Sequence, residues 1–137
     1  MIMKTKLFLF SALISTMVLT LVSCKKDKAD DPTKTYPKNV SIEYKCTVAS
    51  GTPSGLDISY TNENGGTDRL TNVALPFSKK INRTVNAYDD VSLGFIAFGP
   101  GGIKGELYID GKLVDSKTAS SNSASSSFTE SVSYIWR

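Results

Sequence analysis

Histidine is absent from all 137 residues of the sequence. It is the commonest metal ligand in proteins and the only side chain whose ordinary pKa suits acid–base work at neutral pH. Its absence excludes histidine-dependent zinc sites, Ser-His-Asp triads and Cys-His pairs. We therefore expect a protein that is not an enzyme and that holds no cofactor and no metal.

A strong excess of one sign of charge is also missing. The chain carries 16 basic and 13 acidic side chains, for a formal net charge of +3. Lys4 and Lys6 are two of the basic groups, so the chain without residues 1–23 has 14 basic and 13 acidic side chains. Proteins that bind nucleic acid usually carry a basic stripe, often interleaved with aromatic residues, and this sequence has none. We expect no nucleic acid partner.

Apolar runs are short throughout, with one exception at the start of the chain. Leu7 to Val22 forms sixteen residues without a charge, directly after Lys4 and Lys6. A membrane-spanning helix needs about 20 apolar residues, whereas the apolar part of an export signal needs about 7–15. The run is closer to the export signal. It ends in Leu21-Val22-Ser23-Cys24, which resembles the lipobox of bacterial lipoproteins.

The lipobox resemblance implies cleavage before Cys24, a diacylglycerol on its thiol, and palmitate or another acyl chain on the new amino group. Each buried CH₂ contributes about 0.8 kcal/mol, so two or three acyl chains hold a small domain stably on a membrane. The alternative is an uncut signal anchor in which Cys24 is incidental. We expect three parts: a signal peptide (1–23), the lipidated cysteine with a flexible tether (24–38), and one folded domain (39–137).

The tether indicates a location but leaves it open. Residues 25–38 are charged, contain two prolines and have no apolar periodicity, which is typical of a solvated spacer. Asp27, Asp30 and Asp31 resemble the acidic signal that takes some Bacteroidetes lipoproteins to the outer face of the outer membrane. A plain spacer is the alternative. We expect a lipid anchor in the bacterial cell envelope, on the periplasmic or surface-exposed face of the outer membrane.

Beyond residue 38 the apolar residues recur with a period of two. Val40, Ile42, Tyr44, Cys46 and Val48 alternate with polar residues, which predicts a half-buried strand with Cys46 as a small buried hydrophobe. If Cys24 is lipidated, Cys46 is the remaining thiol and no intrachain disulfide forms. Similar segments predict further strands at 56–61, 67–73, 81–87, 91–98, 103–110, 112–118 and 128–136.

The turn-forming residues and the proline between these segments predict how the strands connect. Asn62 to Gly66 and Asp110-Gly111 favour hairpin turns, because both contain residues that tolerate positive φ. Pro76 cannot donate to a strand ladder, so it marks an edge, a bulge or a crossing between sheets. The fifth strand has Ile96 and Phe98 on its second face and should lie centrally. The serine-rich residues 119–127 should form a mobile loop.

No window of eleven residues after the leader has a helical period. Seven or eight short strands in about 100 residues favour a small antiparallel, immunoglobulin-like β-sandwich. A partly closed barrel is the alternative.

Aromatic side chains supply the candidate ligand surface. Tyr108, Tyr134 and Trp136 alternate on predicted strands, and exposed aromatics of this kind bind glycans or lipids. Packing in the core is the alternative. The glycine-rich segment Gly99 to Gly105 matches neither phosphate-binding template, since no Gly-Lys-Ser/Thr follows and no helix receives it.

Four segments of the predicted strands and turns form a recognisable set, which consists of Asp57–Asn62, Thr71–Ser78, Asp89–Leu93 and Leu107–Lys112. Together they resemble the MmpS family, the small mycobacterial membrane proteins that accompany large lipid transporters, and their lipoprotein relatives in Bacteroidetes. The resemblance spans about residues 40–118. It implies a small β-sandwich with one N-terminal membrane anchor and a role as a transport accessory.

Two hypotheses follow from these observations. The first is a membrane-anchored, non-catalytic lipoprotein whose sandwich binds a partner protein or envelope component, with a transporter among the candidates. The second is a module that binds a glycan or a lipid through exposed aromatic residues. The sequence leaves the oligomeric state open.

Overall fold

The computed structural model describes residues 36–137, all of them in strands, turns and loops. The predicted signal peptide, the lipobox Leu21 to Cys24 and most of the tether lie outside the described residues. Within residues 36–137 no helix is long and apolar enough to cross a membrane.

Residues 36–137 contain eight strands, and each of them corresponds to a strand predicted from the sequence. They are β1 (Lys38–Gly51), β2 (Gly55–Thr61), β3 (Thr67–Leu70), β4 (Phe77–Val85), β5 (Asp90–Phe98), β6 (Gly101–Ile109), β7 (Lys112–Ser121) and β8 (Ser127–Ile135).

The strands form two four-stranded sheets. Sheet A has the order β4-β1-β6-β7 and sheet B the order β3-β2-β5-β8. All pairings are antiparallel. This arrangement confirms the predicted antiparallel sandwich, and the central position of β5 is confirmed as well.

The predicted hairpin turns form as the sequence indicates. Asp110 has φ of 50° and Gly111 has φ of 79°, the positive values that a two-residue turn with matching twist requires. At the β2–β3 turn, the Asn62 side-chain oxygen accepts hydrogen bonds from the backbone N–H of Asn64 (3.1 Å) and Gly66 (2.9 Å). Both turns are thus fixed by local residues.

Pro76 lies in the crossing between the sheets, one of the three outcomes that its sequence position left open. β3 belongs to sheet B and β4 to sheet A, and residues 71–76 connect them. The crossing begins three residues earlier than predicted. The Asn72 backbone N–H donates to Asp57 Oδ1 (2.8 Å) and the Val73 N–H to the Leu56 carbonyl (2.7 Å), so the chain leaves the ladder at Leu70.

The core lies between the two sheets and is continuous. Its buried apolar residues come from six of the eight strands and from Trp136, which follows β8. β7 contributes only the partly buried Val114 and Ala119, and β3 is exposed along its whole length. A buried hydrogen bond joins the sheets, from Tyr44 Oη to the Thr61 carbonyl (2.7 Å). The largest fully buried side chains are Trp136, Tyr44, Phe95, Ile42, Leu56, Leu93, Ile103 and Leu107.

Two sequence predictions need correction. The serine-rich segment is partly ordered strand, because β7 continues to Ser121 by pairing with the start of β6 at Gly101. Val48, predicted to be buried, is 49% exposed, since the pairing of β1 with β4 ends at Cys46 and Phe77 and leaves that side of Val48 uncovered.

Candidate functional site

The predicted aromatic surface is not formed by the folded chain. Trp136 is only 1% exposed, so it is a core residue, in agreement with the alternative of packing in the core, and it does not line a surface. Its position is fixed by its backbone, which donates from N–H to the Asp89 carbonyl (3.0 Å) and accepts from the Tyr88 N–H (2.7 Å). Alternation alone places a side chain on one of two faces, and it does not say which face is buried.

The two tyrosines of this set lie in different sheets. Tyr134, in sheet B, is partly buried and packs edge-on against Trp136, with ring centroids 5.3 Å apart. Tyr108, in sheet A, lies beneath the Lys45 ammonium, which is 4.6 Å from its ring centroid. The rings therefore form no shared row or cleft, and the hypothesis of an aromatic glycan or lipid surface loses its central residue.

The outer face of sheet A is charged, and four of its charged side chains form two ion pairs. Lys45 Nζ lies 3.3 Å from Glu43 Oε1, and Lys104 Nζ lies 2.6 Å from Glu106 Oε1. Hydrogen bonding to Glu106 and its negative charge raise the pKa of Lys104. Ser78 Oγ adds a hydrogen bond of 3.1 Å to Glu43, and Lys80 stands opposite Glu43 on the neighbouring strand. This face is polar and well suited to contact with water.

The outer face of sheet B has a different composition. Ser59, Gly94 and Ser131 face one another across β2, β5 and β8. The middle of this face therefore carries only small side chains without charge. A shallow groove of about 320 Å³ follows this row. Its lining includes Asp57, Ser59, Arg69, Gly94, Ile96 and Thr129. Ile96 and, beyond the groove, Phe98 are large apolar side chains exposed to solvent.

One end of the sandwich has no charged side chain. It is built from residues 48–56, 71–76, 97–103 and 119–128, which contain no Asp, Glu, Lys or Arg. We call this surface the uncharged end. It exposes the large hydrophobic side chains of Val48 and Phe98, and the exposed side chains of Leu70 and Ile96 adjoin it.

Backbone hydrogen bonds bring these distant segments together. The Ser54 N–H donates to the Phe98 carbonyl (2.8 Å), and the Gly99 N–H donates to the Ser126 carbonyl (3.1 Å). Gly101 pairs with both Gly51 and Ser121. The absence of charge is visible in each segment of the sequence, and only the strand register shows that the segments are neighbours.

The polar groups that could perform chemistry have structural roles. Burial raises the pKa of the Cys46 thiol to about 12, so this thiol is a poor nucleophile at neutral pH. Asp110 Oδ1 accepts the Ser41 N–H (2.8 Å), and Asp115 Oδ2 accepts the Ser133 N–H (2.9 Å). No group of three metal-binding side chains occurs in the part of the chain that the structure describes. These side chains therefore stabilise the fold.

Comparison with known proteins gives a match to a family model. The model, described as Mycobacterium membrane protein, matches residues 14–131 and so spans the second half of the apolar leader, the tether and most of the sandwich. No curated protein matches the chain.

Proposed function

The chain belongs to the Mycobacterium membrane protein family, the MmpS family, and from this we propose that it is a membrane-anchored lipoprotein with a non-catalytic accessory role. In this proposal Cys24 carries the lipid, residues 25–35 act as a spacer, and the sandwich binds a partner protein of the cell envelope. Family membership is the observation that carries the accessory role. A transporter is the partner that the family resemblance implies.

The lipid anchor is supported by the order of features at the start of the chain. The chain starts with two lysines, which are followed by sixteen uncharged residues, a small residue and a cysteine. This is the order found in lipoprotein precursors. Replacing Cys24 by serine should abolish labelling with radioactive palmitate and release the domain from membranes. Cys46→Ala is the matched control, because it removes the other cysteine and should leave labelling and membrane retention unchanged. Labelling that persists in Cys24→Ser would refute the anchor.

Partner binding is supported by the contrast between the surfaces. The outer face of sheet A carries charged side chains, four of which form ion pairs, whereas the uncharged end presents the exposed apolar side chains of Val48 and Phe98 without a charge. Interface cores in protein complexes are depleted in charge and enriched in aromatic residues. We assign partner binding to this uncharged surface, with Phe98 as its aromatic anchor.

Photocrosslinking in intact cells tests the assignment. A crosslinking amino acid at position 98 should give a discrete adduct with one envelope protein, which mass spectrometry identifies. The same amino acid at position 43, on the outer face of sheet A, is the control and should give none. Equal crosslinking from both positions would contradict the assignment, as would no adduct at all.

A charge substitution provides an independent measurement of the same surface. Phe98 and Leu113 are similarly exposed, at 42% and 45%, and they lie at different ends of the domain. Phe98→Lys should place an unpaired charge in the interface and reduce partner recovery by at least about tenfold, the equivalent of roughly 1.4 kcal/mol. Leu113→Lys should leave partner recovery unchanged. If Phe98→Lys binds as well as the parent protein, Phe98 is not in the interface.

A further inference from the structure

The end of the sandwich where the tether enters differs chemically from the uncharged end. We call it the tether end, and it consists of residues 36–38, 86–90, 110–113 and 135–137. Lys38 pairs with Val85, and Asp90 pairs with Ile135, so the first strand starts where β4 and β8 end. Tyr36 Oη lies 3.5 Å from the Arg137 carbonyl. The anchor-bearing part of the chain therefore reaches the domain here.

Large apolar side chains are exposed at this end. Tyr88 is 73% exposed, the highest value among the large hydrophobic residues. Its φ of 68° is in the left-handed region, which is unfavourable for a bulky residue, and its N–H bond to the Trp136 carbonyl (2.7 Å) holds that conformation. Leu113 and Ile135 are also exposed. The fold thus holds a tyrosine ring outward at the tip of this end.

A shallow hollow of mixed polar and apolar lining lies beside these residues. It has a volume of about 360 Å³ and is lined by Ile109, Lys112, Leu113, Val114 and Tyr134. Tyrosines and aliphatic side chains next to lysines and arginines are typical of the membrane–water interface, where rings lie among the headgroups and cations meet lipid phosphates.

The charges at this end are mixed, and most of the acidic ones have partners within the fold. Asp89 Oδ2 is 3.4 Å from Arg83 and accepts the Asn86 N–H at 2.9 Å. Asp110 accepts the Ser41 N–H. The residues of this end include three cations, Lys38, Lys112 and Arg137, and three acids, Asp89, Asp90 and Asp110. Their formal charges balance, so no net charge of this end opposes contact with lipid headgroups.

The chain between Cys24 and Tyr36 is short, so the domain should contact the bilayer often. Twelve residues of chain lead from Cys24 to Tyr36. Such a chain extends to at most about 40 Å and has a root-mean-square span of roughly 20 Å if it is flexible. Short flexible links give effective concentrations on the order of millimolar. A contact with only millimolar intrinsic affinity would therefore be formed about half of the time.

From these observations we propose that the tether end lies on the lipid headgroup surface, with Tyr88, Leu113 and Ile135 among the headgroups. The uncharged end then faces away from the bilayer. This inference rests on the proposed membrane anchor before residue 36. It adds an orientation and a lipid-contacting surface that anchoring alone does not provide.

Depth-dependent fluorescence quenching tests the orientation on the full-length lipidated protein. The protein is reconstituted at low density into vesicles of phosphatidylcholine with a minor fraction of phosphatidylglycerol. In a Cys46→Ala background, an environment-sensitive dye is attached through Tyr88→Cys or through Val48→Cys. Val48 is the matched control, because it is an exposed apolar residue of the uncharged end.

The expected result is a blue shift at position 88 and severalfold stronger quenching there by headgroup spin labels than at position 48. Leu113→Glu should weaken the quenching at position 88, whereas Phe98→Glu should not. Because the vesicles contain no other protein, lipid is the source of any quenching. Equal weak quenching at both positions would overturn the inference, as would stronger quenching at position 48.

Palmitate labelling and vesicle retention are measured on the same samples. If labelled, retained protein shows no difference between positions 88 and 48, the inference fails while the anchor stands. If the protein carries no lipid and does not stay with the vesicles, the anchor fails and the inference fails with it.

Discussion

Gly105 leaves less room for a Cβ atom than any other glycine of residues 36–137. It lies in β6 of sheet A, opposite the Phe95 ring of β5 in sheet B. A Cβ atom at residue 105 would lie 2.6 Å from Phe95 Cε1 and 3.1 Å from Cδ1, well inside van der Waals contact. Phe95 is fully enclosed by the core and has little room to turn away. We therefore expect Gly105→Ala to destabilise the domain.

The expected loss of stability in Gly105→Ala follows from the clash between the added methyl group and the Phe95 ring. Inserting a methyl group into a close-packed core costs about 1–3 kcal/mol, because side chains or backbone must shift. In a domain of about 100 residues, each kcal/mol lowers the midpoint of thermal unfolding by roughly 4–8 °C. Gly111→Ala is the comparison: no atom lies within 4 Å of its Cβ position, but its φ of 79° disfavours alanine, at a cost of about 1–2 kcal/mol.

A double-mutant cycle separates the steric clash expected at residue 105 from the backbone strain expected at residue 111. Urea unfolding is measured for Gly105→Ala, Phe95→Leu and the double variant, and the same cycle is measured with Gly111→Ala. The smaller side chain at residue 95 should relieve the strain, so Gly105→Ala should cost at least about 1 kcal/mol less in that background. The effects of Gly111→Ala and Phe95→Leu should simply add. Additive effects at Gly105 would refute the packing argument.

Three further changes probe the hydrogen bonds and the buried thiol. Tyr44→Phe removes the buried bond to the Thr61 carbonyl (2.7 Å), and it should cost about 1–3 kcal/mol in urea unfolding; a cost near zero would mean that the carbonyl finds another donor. Burial raises the pKa of Cys46 from 9.0 to about 12. The unfolded chain therefore loses this proton first, and stability should fall as pH rises above 9.0, by about 1.4 kcal/mol per pH unit more than in Cys46→Ala; parallel pH profiles would contradict this. Asp115→Ala removes the bond to the Ser133 N–H (2.9 Å), which joins β7 to β8. Hydrogen exchange at that amide should then accelerate, and unchanged exchange would show that the bond contributes nothing.

Much of the fold could be predicted because one face of each strand is buried. In β1, Val40, Ile42, Tyr44 and Cys46 alternate with polar residues, and all four are core residues. The Asp110-Gly111 turn could be predicted as well, since positive φ at two successive positions demands residues of this kind. Local chemistry determined these features, so the local sequence was sufficient to predict them.

The features that the sequence did not predict depend on contacts between distant residues. Trp136 is buried because its backbone bonds to residues 88 and 89, almost fifty positions earlier. β7 extends to Ser121 because β6 offers it a partner as far as Gly101, although the serines themselves have low strand propensity. Likewise, the register places four uncharged segments side by side. Periodicity within one segment contains no information about these neighbours.

The two proposals constrain each other through the length of the domain. β5 and β6 have nine residues each, so these strands span roughly 30 Å at about 3.3 Å per residue. If the tether end lies on the headgroups, the uncharged end stands about that far above them. A partner confined to the hydrocarbon core of the bilayer could not reach Phe98. The partner must therefore have a part outside the membrane, and crosslinks from position 98 should map to that part and not to its membrane-spanning segments.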